Sequence, residues 1–323
     1  MNRRAVVGGL ATLVATAGRE ARGAEYPVRP VKIVVGFPPG GASDILARSF
    51  GQELSRILGQ QFYVENQAGA NSLVATRAMI RSDPDGYALM MTHSSVVTNA
   101  IFYPGKPYDP VADVTPVATV ARSPFVLLAH PSLGATTMPE LLALARSKPG
   151  QINYGSPGLG SMQHLTTELM KAQAGIDIVQ VPYAGGGPAL TDLLAGRISL
   201  MFFTTVQGLP FVRQGQLVPL AVTSPKRLSE LPTVATVGES LPGFESDLWH
   251  GLVAPPHMPA ALLSRLNEAV AKAARAPAMS GRLADLGAEA LISSPAQFSR
   301  LMAEETAKWT SFLEGPGAAI RSK

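Results

Sequence analysis

The chain contains no cysteine. Disulfides, thiol nucleophiles and zinc–thiolate sites are therefore excluded, and a protein of 323 residues has to rely on its hydrophobic core for stability. Charged residues make up 15% and aromatic residues 6% of the sequence, whereas apolar residues reach 46%. This balance is typical of a globular chain rather than a disordered one, and the length suits two lobes of about 100–200 residues each.

Basic runs are also missing, since no cluster of lysine and arginine follows Arg22. Residues 1–24 carry four arginines and one glutamate, which leaves about +1 of the chain's net charge of +4 for all the remaining residues. A nucleic-acid partner needs a basic patch on the folded domain. We therefore expect no nucleic-acid binding.

No apolar run reaches the length of about 20 residues that a membrane span needs. The longest candidate, residues 5–17, follows Arg3 and Arg4 and leads into small residues up to Ala24. A basic start, a short apolar core and a small-residue exit are typical of a secretory signal peptide. We expect residues 1–24 to be that peptide, cleaved between positions 17 and 24, and the mature protein to be periplasmic; an ordinary buried N-terminal helix is the alternative.

The motifs of common nucleotide-binding and catalytic sites are absent from the sequence. Gly158 and Gly160 lack the third glycine of a dinucleotide fingerprint, no P-loop occurs, and no serine has glycine two residues away on both sides. The five histidines show no metal-ligand spacing. We expect neither a cofactor nor a metal site.

Runs typical of strands alternate with runs typical of helices, which predicts an α/β fold. Strands are expected at 31–35 and 125–129. Between residues 44 and 58 the apolar residues recur at helical spacing, and Gly59 is a helix stop signal.

Helix starts are marked by two capping boxes. Thr137 with Glu140 predicts a helix from residue 138, and Ser294 with Gln297 predicts one from residue 295. After Gly251 the chain is expected to turn helical, with apolar stripes over residues 259–274 and 295–313.

Three Gly-rich corners each join an expected strand to an expected helix, at residues 37–44, 154–161 and 181–188. Glycine lets the backbone approach a ligand closely, and the first helical turn leaves about four N–H groups without partners. The helix dipole adds about half a positive charge there. Such corners bind anions without lysine or arginine, at the strand ends where ligands bind in open α/β sheets. Ordinary tight turns are the alternative interpretation.

His164 lies one helical turn beyond Ser161. A hydrolase or lyase with Ser156 or Ser161 as nucleophile is a second hypothesis, but it needs a third residue to orient the imidazole and the sequence offers none. A packing role for His164 is the alternative. Asp44 and Asp192 are expected first to stabilise helix N-termini.

The ordered motifs resemble those of the tripartite tricarboxylate transporter substrate-binding proteins, the Bug or TctC family. The resemblance extends from Tyr26 to the C-terminal helix. The stretches that carry it are 36–44, 64–70, 84–87, 154–164, 181–186, 231–237 and 249–255.

This resemblance implies a type II periplasmic-binding-protein fold, in which two α/β lobes enclose a ligand cleft. One lobe would comprise residues 25–124 plus 246–323 and the other residues 125–245. It implies a small mono- or dicarboxylic acid as ligand, delivery to a tripartite tricarboxylate-type permease made by other chains, a monomeric state and no catalysis. A sensor that presents the bound acid to a membrane signalling partner is the alternative.

The resemblance also implies that the first two corners clamp a carboxylate and that the third corner forms a cleft wall. Asn71 and Ser72 stand where the family usually has two glycines, which should stiffen that loop, and His93 is a candidate contact to the far end of the ligand. The expected ligand-binding residues are Phe37, Gly40, Gly41, Ala42, Ser43, Asp44, Thr92, Ser156, Gly158, Gly160, Ser161, His164, Tyr183, Gly185, Gly186 and Asp192.

Overall fold

A computed structural model describes residues 26–103, 105–285 and 287–320. The predicted signal peptide, residues 1–24, lies outside the described residues. Within the described part of the chain, no helix combines the length and hydropathy that a membrane crossing requires.

The described residues form ten strands, numbered in chain order. They are β1 Val31–Val35, β2 Phe62–Asn66, β3 Ala88–His93, β4 Thr115–Ala129, β5 Asn153–Ser156, β6 Val179–Pro182, β7 Leu200–Thr204, β8 Val218–Val222, β9 Asp247–Ala254 and β10 Glu289–Ala290.

The same residues form eleven α-helices. They are α1 Ala42–Leu58, α2 Leu73–Ile80, α3 Ser95–Phe102, α4 Met138–Ser147, α5 Met162–Ala174, α6 Gly186–Leu194, α7 Thr205–Arg213, α8 Val237–Ser240, α9 Ala260–Ala274, α10 Pro277–Asp285 and α11 Pro295–Glu314.

The strands follow the order β2-β1-β3-β9-β4-β7-β5-β6, and β8 and β10 also pair with β4. The outer strands of each half are parallel, β1 with β2 and β3, and β5 with β6 and β7. The central pairings of β9 and β4 are antiparallel. The fold is therefore two α/β sheets, each parallel toward its outer edge and antiparallel toward the centre, joined through β4.

Strand β4 belongs to both sheets. Its first ten residues pair with β9, and from Phe125 onward it pairs with β7 and β8 instead. The prediction of a strand at 125–129 is confirmed, whereas the half that precedes it was not predicted. The helices expected after Gly251 are confirmed as α9 and α11, although β9 first continues to Ala254 between β3 and β4.

Helix α1 shows why the sequence folds locally as expected. Leu46, Phe50 and Leu54 lie on one face and are buried against the first sheet, because their spacing places them on a single stripe. The helix ends at Gly59, whose φ of 73° lets its N–H bond the Ser55 carbonyl. The stop signal and the apolar spacing are both confirmed.

The two predicted capping boxes have different outcomes. At α11, Ser294 and Gln297 bond reciprocally, and that box is confirmed. At α4, Thr137 accepts from the Glu140 N–H, whereas the Glu140 carboxylate turns to the N–H and hydroxyl of Thr136. The helix is as predicted, but the box at Thr137 is wrong because the preceding residue competes for the same carboxylate.

Candidate functional site

A cavity of about 870 Å³ receives residues from both sheets. That volume is within the range of small-molecule sites. The lining residues are 36–43, 68–72, 93, 102, 103, 157–159, 161, 163, 184–188, 204, 207, 248 and 250.

Five helices begin at the wall of this cavity. The residues that precede α1, α2, α5, α6 and α7 all line it, and they are Gly41, Ser72, Ser161, Gly185 and Thr204. Because the N–H groups of a first helical turn lack intrahelical partners, each start presents donors and a partial positive charge. The wall is therefore built to attract a negative group.

Charged side chains do not contribute to this attraction. None of the described Asp, Glu, Lys or Arg side chains lines the cavity. An anion bound here would be held by backbone dipoles rather than by an ion pair, the arrangement that helix N-termini permit.

The first corner runs from Phe37 to Asp44. Gly40 has a φ of 87°, which favours glycine, and Gly41 is extended at the helix boundary. Phe37, Gly40, Gly41, Ala42 and Ser43 line the cavity. Four of these five residues have a small side chain or none, so little side-chain bulk separates the start of α1 from the cavity.

Asp44 lies behind this corner rather than in the cavity wall. Its carboxylate accepts from the Gly40 N–H at 3.0 Å, from the Arg48 guanidinium and from the Asn66 amide. Burial would raise its pKa, but these donors hold the pKa below its usual value. The charged carboxylate therefore fixes the loop, and the helix-stabilising role expected from the sequence accounts for its contacts.

The second corner, residues 156–161, is held by its own side chains. Ser161 Oγ donates to the Gly158 carbonyl at 2.8 Å and accepts from the His164 N–H. His164 Nδ1 in turn accepts from the Gly160 N–H at 3.1 Å. Gly158 and Ser161 line the cavity, whereas Ser156, Gly160 and His164 do not.

These contacts bear on the hydrolase hypothesis. A nucleophilic serine must hand its proton to an imidazole nitrogen, whereas the Ser161 hydroxyl points its proton at the Gly158 carbonyl. Ser156 Oγ accepts from Gln180 Nε2 at 2.7 Å. The described contacts of both serines brace the corner, and they favour binding over catalysis.

The third corner presents main chain as well. Gly185 and Gly186 line the cavity, and Gly185 has a φ of 138° that favours glycine. Tyr183 and Asp192 are absent from the lining and bond each other at 2.8 Å. Burial and this hydrogen bond raise the pKa of Tyr183 to about 12. The pair supports the corner from behind. The expectation that Asp192 stabilises a helix N-terminus is wrong, because Asp192 lies in the last turn of α6.

The loop at residues 70–72 was only partly anticipated. Ala70, Asn71 and Ser72 have φ values of 46°, 51° and 75°, three consecutive non-glycine residues in the left-handed region, which stores strain. Asn71 Nδ2 donates to Asn99 Oδ1 at 3.0 Å and lies 3.5 Å from the Gly160 carbonyl on the second corner. The expected stiffening thus takes the form of a strained loop tied to both halves of the molecule.

His93 and His250 face the cavity from adjacent strands. They are direct partners in the β3–β9 register, and their rings meet edge to face at 5.8 Å. His93 also stacks on Phe37 at 4.6 Å. Thr92, the other expected contact on β3, is buried and does not line the cavity.

His250 is one of the lining residues that sequence reasoning missed. It lies on β9 within the family-like stretch 249–255, but it was not among the expected ligand-binding residues. It is 0% exposed, neither ring nitrogen has a hydrogen-bond partner among the described residues, and burial lowers its pKa to about 3. The alternation of side chains along β9, whose Leu248 and His250 both line the cavity, is a sequence signal that could have found it.

The placement of the sixteen expected residues divides into two groups. Nine line the cavity together, and the other seven lie behind it as supports or neighbours. The lining group is Phe37, Gly40, Gly41, Ala42, Ser43, Gly158, Ser161, Gly185 and Gly186, and the second group is Asp44, Thr92, Ser156, Gly160, His164, Tyr183 and Asp192. A direct ligand contact by any of them stays a prediction. No group of three or more described metal-ligating side chains that could hold a metal ion is found.

Comparisons with known proteins agree with this architecture. The family described as the tripartite tricarboxylate transporter family receptor matches residues 46–317. Protein BugT of Bordetella pertussis is 32% identical over 326 residues, which cover 99% of this chain and 100% of that protein.

Solved structures give the same result. An R. palustris protein with adipate has a TM-score of 0.85 and 35% identity, covering 90% of this chain and 98% of that one. MatC from Rhodopseudomonas palustris with bound malate has a TM-score of 0.82 and 31% identity, covering 88% and 99% of the two chains. The expected periplasmic-binding-protein fold is thereby confirmed.

Proposed function

Because the chain belongs to the tripartite tricarboxylate transporter receptor family, as its motifs indicated, we propose that it is a periplasmic receptor that captures a small carboxylate and performs no chemistry on it. The observation that carries this proposal is the cavity wall with five helix starts and no charged side chain among its described residues. Backbone N–H groups at helix starts recognise an oxyanion without committing to the rest of the molecule.

The ligands of the relatives support a carboxylate. Adipate and malate, which occupy the two related structures, are small organic acids. This chain keeps the same fold over nine-tenths of its length. A mono- or dicarboxylic acid is therefore the ligand class that the cavity is expected to take.

Capture would proceed by closure of two lobes, comprising residues 25–124 plus 246–323 and residues 125–245. Two features support these limits: β4 changes partners between Pro124 and Phe125, and β9 begins at Asp247. Strand β4 passes from one sheet to the other, and β9 begins beside that point, so a small rotation there would bring the first corner toward the second and third. The liganded monomer would then be recognised by the membrane permease.

Binding of a carboxylate is tested by thermal unfolding of the purified mature protein with a panel of small acids. Each acid is paired with its amide, which has the same shape and no charge. We expect at least one acid to raise the midpoint, since a ligand at about 100 times its Kd stabilises by about 2.7 kcal/mol, and its amide to leave the midpoint unchanged. An equal effect of acid and amide, or no effect from any acid, would refute the proposal.

Delivery to a permease is tested separately. Mature protein carrying a photo-crosslinker on an exposed helix is added to membranes that contain a tripartite tricarboxylate permease, with and without the acid found above. Ligand-dependent cross-linking to the permease is expected. Cross-linking to a membrane signalling protein instead would establish the sensor alternative.

A further inference from the structure

His93 has a defined tautomer. The Ser95 N–H donates to its Nδ1 at 3.1 Å, so Nδ1 carries a lone pair. Burial, and then the neighbouring His250, hold the pKa of His93 well below its ordinary value, so the ring is neutral and its proton lies on Nε2. His93 therefore offers a ligand one hydrogen-bond donor and no charge.

His250 is an incomplete hydrogen-bonding group. Both of its nitrogens are buried without a described partner, although the residue lines the cavity. Buried polar atoms in native proteins are almost always hydrogen-bonded. A neutral imidazole supplies one donor and one acceptor, so a polar group of a ligand placed against His250 would complete its hydrogen bonding.

The two rings lie side by side at one place on the cavity wall. They are direct partners across β3 and β9, and they meet edge to face with centroids 5.8 Å apart. A polar group of a ligand seated at this place would face both imidazoles. Phe37 fixes the His93 ring by stacking at 4.6 Å, and Phe37 also belongs to the corner that leads into α1.

Charge decides the nature of that oxygen. The two imidazoles are neutral, and none of the described lining side chains carries a charge. An ionised carboxylate is stabilised most by the partial positive charge at helix N-termini. An uncharged oxygen needs only a hydrogen bond, which a neutral imidazole supplies.

We infer that His93 and His250 form a specificity-determining pair that binds an uncharged hydroxyl or carbonyl oxygen of the ligand, while its carboxylate occupies the helix starts. The ligand class is then a hydroxy- or oxo-substituted carboxylic acid. This inference rests on the proposed function and deepens it by naming the second group that the site recognises.

The test compares ligands that differ in one group. Calorimetry measures the binding of three sets of ligands. They are straight-chain acids of about three to six carbons, their hydroxy and oxo derivatives, and dicarboxylates that carry a second carboxylate in place of the hydroxy or oxo group. The proteins are the wild type, His250→Leu, His93→Leu and the conservative His93→Gln. The matched control is His257→Gln, an exposed histidine outside the cavity.

We expect the wild type and the control to bind a hydroxy or oxo acid roughly ten-fold or more tightly than the unsubstituted acid, because a site built to bind a polar group discriminates strongly against its loss. In His250→Leu and His93→Leu this preference, measured as the ratio of the two affinities in the same variant, should fall to about three-fold or less. His93→Gln restores a donor and should recover part of the preference.

A measurement on the wild-type protein does not depend on whether the variants fold. In protein labelled with ¹⁵N-histidine, the substituted acid should shift the resonances of the cavity histidines, whereas the unsubstituted acid should not. An unchanged preference in the leucine variants, a dicarboxylate that binds more tightly than the substituted acid, or identical spectra with both acids would overturn the inference and leave the receptor function standing. Absence of binding by every acid would overturn both.

Discussion

Replacement of Ala42 by proline removes one backbone donor from the proposed anion site and leaves the helix intact. Ala42 is the first residue of α1, a position where proline is favoured because its N–H has no intrahelical partner. Proline also requires an extended residue before it, and Gly41 has φ −78° and ψ 167°. The substitution therefore fits the native backbone.

The size of the effect follows from the bond that is lost. A hydrogen bond to a charged group contributes about 1.5–3 kcal/mol, which corresponds to a loss of carboxylate affinity of about ten- to a hundred-fold. The unliganded protein should unfold at the same temperature or slightly higher, since proline at a compatible position stabilises by up to about 1 kcal/mol.

The assay is calorimetric titration with the tightest acid found, together with thermal unfolding of the unliganded protein. Ala260→Pro is the matched control, because Ala260 is the first residue of α9, follows the extended Pro259 and lies outside the cavity. Wild-type affinity in Ala42→Pro would refute the assignment of the carboxylate to the start of α1. An equal loss in the control would show that proline acts through the fold.

Three further outcomes are expected. Gly36→Ala should lower the midpoint of thermal unfolding, because the added Cβ would clash with the Oγ and Cα of Ser72 and overpacking costs about 1–3 kcal/mol. The control Gly281→Ala should not lower it, since nothing lies within 4 Å of the added Cβ. Equal midpoints for the two variants would contradict the packing argument. Asn71→Asp places a negative charge on the cavity wall, so calorimetry at neutral pH should show carboxylate affinity about ten-fold or more lower, recovering as the new carboxyl protonates. Burial lowers the pKa of His250 from 6.5 to about 3 in the folded protein. Its contribution to stability is therefore complete above pH 6.5 and declines toward pH 3, by at most about 1.4 kcal/mol per pH unit. In denaturant titrations His250→Leu should make this decline less steep.

Local patterns in the sequence were enough to predict several helices and strands and the family. The strand at 31–35, the stop at Gly59 and the cap at Ser294 were predicted correctly, because each depends on residues within one or two turns of chain. The glycines of the corners were readable for the same reason, since a positive φ at Gly40 or Gly185 is a local requirement.

Elements whose neighbours come from distant parts of the chain were harder to predict. The first half of β4 and the end of β9 carry no strong strand pattern. They are strands because β9 is paired on both sides, by β3 and β4, and because the first half of β4 pairs with β9 along its length. Cross-strand pairing and burial decide such cases more than intrinsic preference does.

The tertiary structure alone decided which residues face the cavity. The sequence indicated an anion site at three corners, but only the packed fold places five helix starts around one space and turns Asp44, His164 and Tyr183 away to brace the loops. His250 reaches the cavity because β9 lies beside β3 in one particular register. Local signals fix where a helix begins, whereas the direction of a side chain into a shared cavity depends on the register and packing of segments far apart in the chain.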